Sequence, residues 1–493
     1  MFIAGSCDEY LDINQDPDVL GSTDAPEIIL PSAQVDLANN LMGWDLGFGG
    51  GYWSQYWTQS YTASQFKTLC EYQETSFSYA YSGLTTGTLN DLKRIKSLSV
   101  DPENLGYYYI SEAMSIFTWQ LMTDLWGDIP YTEALKGNEE VNSPVFDSST
   151  DIYADLMSRI NTLLTLDPTN SFVKENFDFL YAGNLDEWVK FANSVKLKLM
   201  IRQSETSNYN NGAVLSFVAA NSFLDSSAKI VGSYWDDTKE GKKHPMREFS
   251  TGGANYFSTN VIGCKSFIDY LNKNDDPRID VLFEAPSGGH QGAFFGDFDS
   301  KQDSNGSGTE DEDEDYSEAI FAADMDLMIM SDWEVNFYIA EVYARANDMA
   351  NAKIYYDAAV TASLNQNSIA DISIITAGYA LWVDGTEEEN IKQIAMQKWV
   401  ANANYQHIES FLERNRTKYP AVNEIDIKSN RNAAFLAFPT GDLTISVNGR
   451  DKTNGFLPAA PVYPNNVLTR NVNSPAQKVD LLEKIWWNQK VGK

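Results

Sequence analysis

The sequence predicts a mainly α fold, in which tetratricopeptide-repeat-like helix pairs form the scaffold and long loop-rich insertions run between them. Two helix starts predict it first: Ser331 with Glu334 and Thr386 with Glu389 each spell S/T-x-x-E directly before an apolar periodic stretch. A hydroxyl at that place accepts from the backbone N–H three residues on, and the glutamate returns the bond. Side-chain size is the second observation. Ala340 and Tyr343 follow Trp333 and Phe337 on one run, Asn347-Asp348 supplies a turn, and Ala352, Tyr356 and Ala359 follow on the next. Small residues let two helices approach closely while tyrosines fill the groove between neighbouring pairs. A repeat pair cannot bury its apolar face alone, so the antiparallel pair over 331–363 is expected to stack on a pair over 387–414. In that second pair Ile391, Ala395 and Trp399 share one helix face, and Tyr405, Ile408, Phe411 and Leu412 lie on the next helix.

Further helices are expected near 105–125 and 151–164, and after Asn184, where Trp188, Ala192, Val195 and Leu199 line one face. The helical scaffold therefore occupies mainly 90–204 and 330–414. Between these parts lie 43–83, 205–329 and 415–493, rich in Gly, Asn, Ser, Asp and aromatic residues. Loops of that length inside a compact body are uncommon unless they carry function or are disordered. No long low-complexity linker divides the chain, so 27–493 is expected to form a single domain behind an N-terminal tether over 1–26.

With 493 residues, 43% of them hydrophobic, the chain can bury a large core. Its 36 Lys+Arg against 69 Asp+Glu give a net charge of -33, which repels phosphate backbones and anionic headgroups. Nucleic acids and polybasic membrane attachment are thereby excluded as partners. Three cysteines (Cys7, Cys70, Cys264) permit at most one disulfide, and three histidines leave little for imidazole-based metal or acid–base chemistry. No apolar run reaches the roughly 18 residues that span a bilayer.

Two short patterns carry separate expectations. Ala4-Gly5-Ser6 before Cys7, followed by a polar, turn-prone stretch to Pro17, matches the end of a bacterial lipoprotein signal, with Cys7 as the lipidated residue. Asp303, Asn305, Ser307, Gly308 and Glu314 occupy the first, third, fifth, sixth and twelfth places of an EF-hand-type loop. Ser307 stands where Asp or Asn is usual, and no entering helix precedes Asp303. A solvated acidic loop competes there with a Ca2+ site, and no other cofactor is expected.

Across nearly its whole length the chain resembles the SusD/RagB family, nutrient-binding outer-membrane lipoproteins of Bacteroidetes that work beside a TonB-dependent transporter. The resemblance rests on Cys7 with its acidic tether, on Leu121-Met-Thr-Asp-Leu-Trp-Gly-Asp-Ile-Pro-Tyr-Thr-Glu-Ala-Leu135, on Pro144-Val-Phe-Asp147 leading into Ile152-Tyr153, and on the run from Trp188 to Arg202. It continues through Asp276-Pro-Arg278, Ala340-Glu-Val-Tyr-Ala-Arg345, Gln397-Lys-Trp399, Arg414-Asn-Arg-Thr-Lys-Tyr-Pro420 and Tyr463-Pro464. It implies a lipid-anchored cell-surface protein that captures oligosaccharide without chemical turnover and passes it to a SusC-like transporter. A peptide ligand is the alternative that the family also allows. A surface glycoside hydrolase using paired carboxylates is a third and weaker reading.

Most of these motifs are structural by their own residues. Gly127 and Pro130 stop a helix, Trp188 and Trp399 lie on packed faces, and Asp276 and Arg278 can form a local ion pair after a turn. Ligand contact is sought instead among loop aromatics, because Trp and Tyr cover the apolar C–H face of a sugar at low entropic cost. The richest run, from Trp44 to Trp57, offers Trp44, Tyr52, Trp53 and Trp57; its glycines do not fit a dinucleotide-binding pattern. Tyr234, Trp235, His290 and Phe294 are the next candidates, each flanked by Gly, Asp or Ser. Of these, Trp53 and Trp235 are expected to be solvent-facing platforms.

Overall fold

The computed structural model describes residues 25–493 apart from 64, 252–256, 299–300, 304–306 and 313–314. It is mainly helical, with α1 (Pro26–Leu41), α2 (Leu46–Trp53), α3 (Asn90–Leu98), α4 (Leu105–Trp126), α5 (Ser149–Leu163), α6 (Leu185–Arg202) and α7 (Asn211–Ala220) in the first half. There follow α8 (Pro245–Thr251), α9 (Lys265–Lys273), α10 (Asp332–Arg345), α11 (Met349–Gln366), α12 (Glu387–Asn402) and α13 (His407–Thr417). Strands are short. β1 (Trp57–Thr58), β3 (Ile262–Gly263), β5 (Glu318–Ala319) and β4 (Phe283–Glu284) pair antiparallel in that spatial order. β2 (Ala228–Ile230) pairs antiparallel with β6 (Leu327–Met330).

The repeat-like pairs form as expected. α10 and α11 pack along their length, with Tyr343 stacked on Tyr355 at 5.6 Å; α12 lies against both, and α13 packs on α12 and reaches α10 through the Tyr338–Glu409 and Arg416–Glu341 side chains. At Thr386 the capping box is complete, the hydroxyl accepting from Glu389 N–H and Glu389 accepting from Thr386 N–H. At Ser331 only half of it forms. The hydroxyl caps Glu334 N–H, but the Glu334 carboxylate turns inward and accepts from Lys198 and Gln406. Gly127, at φ +79, ends α4 as its sequence requires.

The segment 43–83 departs from its loop reading. α2 contains three consecutive glycines and is buried throughout. A methyl group on Gly50 would lie 2.4 Å from Ile408 N and 2.5 Å from the His407 carbonyl carbon, so glycine is what allows α2 to lie against the start of α13. Tertiary packing here overrides helix propensity. The insertion 205–329 likewise contains α7, α8, α9 and the strands β2, β3, β4 and β5. One hydrophobic core runs from Ile29 to Trp487, so the long segments wrap the helices and share their interior.

Inside that core lies a charged network. Arg202 donates to Asp124 at 2.9 Å, Glu413 at 2.6 Å and Glu409 at 2.7 Å. Lys198 bridges Glu334 and Glu409, both at 2.7 Å, and Arg416 bridges Glu341 at 2.6 Å and Glu413 at 2.7 Å. Lys398 sits 3.1 Å from Glu413 and 3.6 Å from the centre of the Tyr338 ring. All of these side chains are buried. Asp276 and Arg278 form a second buried pair at 2.6 Å, reaching Gln397 at 2.8 Å. Cys70 and Cys264 are free thiols, also buried. Among the described residues no helix is long and apolar enough to cross a membrane.

Candidate functional site

The aromatic density between Trp44 and Trp57 resolves into one exposed edge and a buried remainder. Trp44, at the entry to α2, is 43% exposed. Its ring lies 4.3 Å from Phe66 and 5.1 Å from Phe249 of α8, both half-buried, and Phe48 backs all three from the core. Phe66 adopts φ +58, a left-handed conformation costly for a large side chain, and this turns its ring flat against Phe48 at 4.3 Å and 10°. Amides stiffen the loop behind: Gln59 donates to Asn260 at 2.7 Å and to Gln65 O, Asn260 donates to Gln65 at 3.2 Å, and Tyr52 gives its phenol proton to Asn260 O. The result is an aromatic surface on a rigid base, the form of platform that stacks an apolar ring face.

Four of the candidate ligand contacts, among them the expected platform Trp53, are packing residues instead. Tyr52 and Trp57 have no exposed surface, and Trp53 is 2% exposed, its indole N–H donating to Leu69 O at 3.2 Å between the Phe77 and Phe411 rings. Phe294 is enclosed by Ile427, Ala434 and Val447 in a satellite of the main core. A ring with no accessible face has nothing to offer a ligand, and this corrects the expectation for Trp53 in particular. Tyr234 and Trp235 are half-buried, 5.0 Å apart and nearly perpendicular, with Lys242 over the Tyr234 ring at 5.3 Å.

An aromatic chain links the two ends. From Trp44 and Phe48 it passes to Trp57 at 5.9 Å, Phe321 at 5.6 Å, His244 at 6.4 Å and Trp235 at 5.5 Å. His244 and His407, both enclosed in it, are held neutral by burial, which lowers each pKa to about 3. The chain therefore carries no imidazolium at ordinary pH. Sequence reasoning missed Phe66 and Phe249. Each is an isolated aromatic between polar neighbours, Gln65 and Lys67 or Glu248 and Ser250, and isolation was the signal to follow. Clustered aromatics more often mark a core.

His290 lies apart from this surface. Its Nε2 is 2.9 Å from Asp280 and its Nδ1 3.1 Å from the Ser317 hydroxyl, an Asp–His–Ser order with the outline of a nucleophilic triad. Ser317 has no exposed surface and its oxygen also accepts from Gln291 N–H, so a substrate carbonyl cannot reach it. The three side chains instead clasp the loop before His290 to β5. Among the described residues no group of three or more His, Cys, Asp or Glu is placed to hold a metal ion. Asp303 spends its carboxylate on Ser307 N–H at 2.8 Å and Gly308 N–H at 2.9 Å; Asn305, Glu314 and Cys7 lie outside the described residues.

A family model described as "Starch-binding associating with outer membrane", SusD-like, matches residues 16–437. The chain belongs to the SusD-like family. Its fold is shared with a SusD homologue from Bacteroides uniformis, 20% identical over 94% of this chain and 99% of that one, with a TM-score of 0.72. A chitin-binding protein (19% identical, 93% and 100% covered, TM-score 0.70) and a chitin-binding SusD homologue from Flavobacterium johnsoniae (16%, 94% and 99%, TM-score 0.69) share it as well. No curated protein sequence matches the chain.

Proposed function

We propose that this SusD-like protein captures a neutral oligosaccharide at the cell surface and does so without cleaving it. The observation that carries the reading is the exposed Trp44 edge, flanked by Phe66 and Phe249 and backed by a rigid core, on the face built from the loop-rich segments. A sugar ring laid on such a surface buries its C–H face while its hydroxyls remain free for nearby amides and water. The family description and the chitin-binding relatives favour a glycan over a peptide as the ligand. The net charge of -33 favours a neutral glycan over an anionic one. In this reading Cys7 carries the lipid anchor at the outer membrane, and the bound oligosaccharide passes to a SusC-like TonB-dependent transporter.

The test is a titration of the purified protein with starch- and chitin-derived oligosaccharides and with peptides, repeated on Trp44→Ala. Binding of an oligosaccharide that weakens in the variant, with the glycan intact after prolonged incubation, supports the reading. Binding of peptide alone, or release of shorter sugars, refutes it.

A further inference from the structure

Away from the aromatic patch, a cleft of about 410 Å³ opens where the turn between α12 and α13 meets the end of α11 and the segment between β5 and β6. Asn404, in its wall, has φ +63 and is 1% exposed. Its Nδ2 donates to Leu282 O at 2.8 Å and to Ile320 O at 3.3 Å. Those two carbonyls fix the amide, because the flipped group would set its oxygen against two other oxygens. Oδ1 is left buried without a donor. Native proteins rarely leave such an acceptor unmet. Ser368, at the end of α11, is also left-handed at φ +57, so two strained backbone positions border the same cleft.

The other polar groups sharpen what is missing. Tyr405 commits its hydroxyl to Asn367 at 3.1 Å. Asp326 is saturated by Lys229 at 2.6 Å, Gln366 at 3.1 Å and Gly232 N–H at 2.8 Å. Asp324 is exposed, and among the described residues no cation pairs with it. No Lys, Arg or His lines the cleft; Ile320, Leu282 and Met325 give its wall an apolar part, and Gln366, Asn367 and Ser368 a polar one. Asn404 thus leaves an acceptor unmet and Asp324 a negative charge unpaired at a cleft that has the volume of a small-ligand site.

We propose that this cleft binds a small hydroxylated ring carrying a protonated primary amine, the chemistry of an amino sugar. The ammonium pairs with Asp324, a ring O–H or N–H meets the Asn404 acceptor, and the C–H face rests on the apolar part of the wall. The field of a chain with net charge -33 draws the cation in. The proposal stands independently of the aromatic patch.

Calorimetric titration of the full chain at about pH 6, where an amine is protonated, compares glucosamine with glucose and with N-acetylglucosamine, which keeps the ring and loses the charge. Glucosamine is expected to bind at least tenfold more tightly than either. Asp324→Asn, at an exposed position that should leave the melting temperature in place, is expected to weaken glucosamine tenfold or more, and Trp44→Ala to leave it unchanged. Absence of glucosamine binding, equal binding of the three sugars, or an Asp324→Asn protein that binds as before overturns the proposal. Loss of binding in Trp44→Ala overturns it too, by placing the ligand on the aromatic patch.

Discussion

Trp44 and Trp53 bracket the same short helix, and their indoles meet opposite surroundings. Trp44 shows solvent 43% of its surface, so truncation removes a stacking face and little core contact. Trp44→Ala is expected to weaken oligosaccharide binding by about 1 to 3 kcal/mol, taking base–aromatic stacking as the guide, with the melting temperature nearly unchanged; paired titration and calorimetry check both. Trp53 fills space between Phe77 and Phe411 and satisfies Leu69 O. Trp53→Ala is expected to cost about 3–5 kcal/mol of folding stability, the range for a large aromatic lost from a core. Denaturant unfolding measures it, and a loss below about 1 kcal/mol would mean that the indole is not packed. The sequence placed aromatic residues in this segment correctly, but alternation of glycine and aromatic residues carries no mark of which side faces water.

α2 shows a helix made by its neighbours. Three glycines in a row disfavour helix by about 1 kcal/mol each relative to alanine, and an alanine at Gly50 would be stabilising in an isolated helix. Here the added methyl meets Ile408 N and the His407 carbonyl carbon at 2.4 and 2.5 Å, backbone atoms that cannot rotate away. Gly50→Ala is therefore expected to destabilise the protein by about 1–3 kcal/mol through overpacking, the reverse of its propensity. Urea unfolding decides the sign. The pairs α10–α11 and α12–α13 behave differently, because caps, turn residues and periodicity agree locally with the tertiary arrangement, and there the elements were legible from the sequence.

For the molecule as a whole, the buried charge network ties α4, α6, α10, α12 and α13 into one body. Arg202 has no exposed surface and three carboxylate partners. Arg202→Met leaves Asp124, Glu409 and Glu413 short of a cation in a dry interior, and a loss of about 3–5 kcal/mol is expected in equilibrium unfolding. This network and a separate cluster, in which Lys96 and Arg159 pair with Glu112, fix the response to acid. Arg159 and Lys96 oppose burial at Glu112, and Arg416 and Arg345 do so at Glu341, lowering each pKa to about 2. Depressed carboxylates contribute stability above their unfolded pKa and lose it as pH falls through the folded value. Asp124 runs the other way: burial outweighs Arg202 and raises it to about 6, so its contribution grows as pH drops from 6 toward 4. Chemical denaturation across pH should show a shallow gain or plateau down to about pH 4.5 and a steep fall below it, with Asp124→Asn removing the gain.

The sequence by itself determined the helical class, the capped helix starts, the repeat-like pairs and, through motifs spread over the chain, the family. These depend on local rules: a cap acts within one turn, and an apolar period needs only its own helix. The tertiary structure alone decided which polar and aromatic residues face inward. Asp124, Lys198, Arg202, Glu341, Lys398 and Arg416 all sit in the motifs that carry the resemblance, and nothing in their spacing says that they converge from five helices, because charge pairing inside a core is set by residues distant in sequence. The same reason separates Trp44 from Trp53. Exposure belongs to the assembled surface, and Phe66 and Phe249 reach Trp44 only after α2, the 59–66 loop and α8 have packed together.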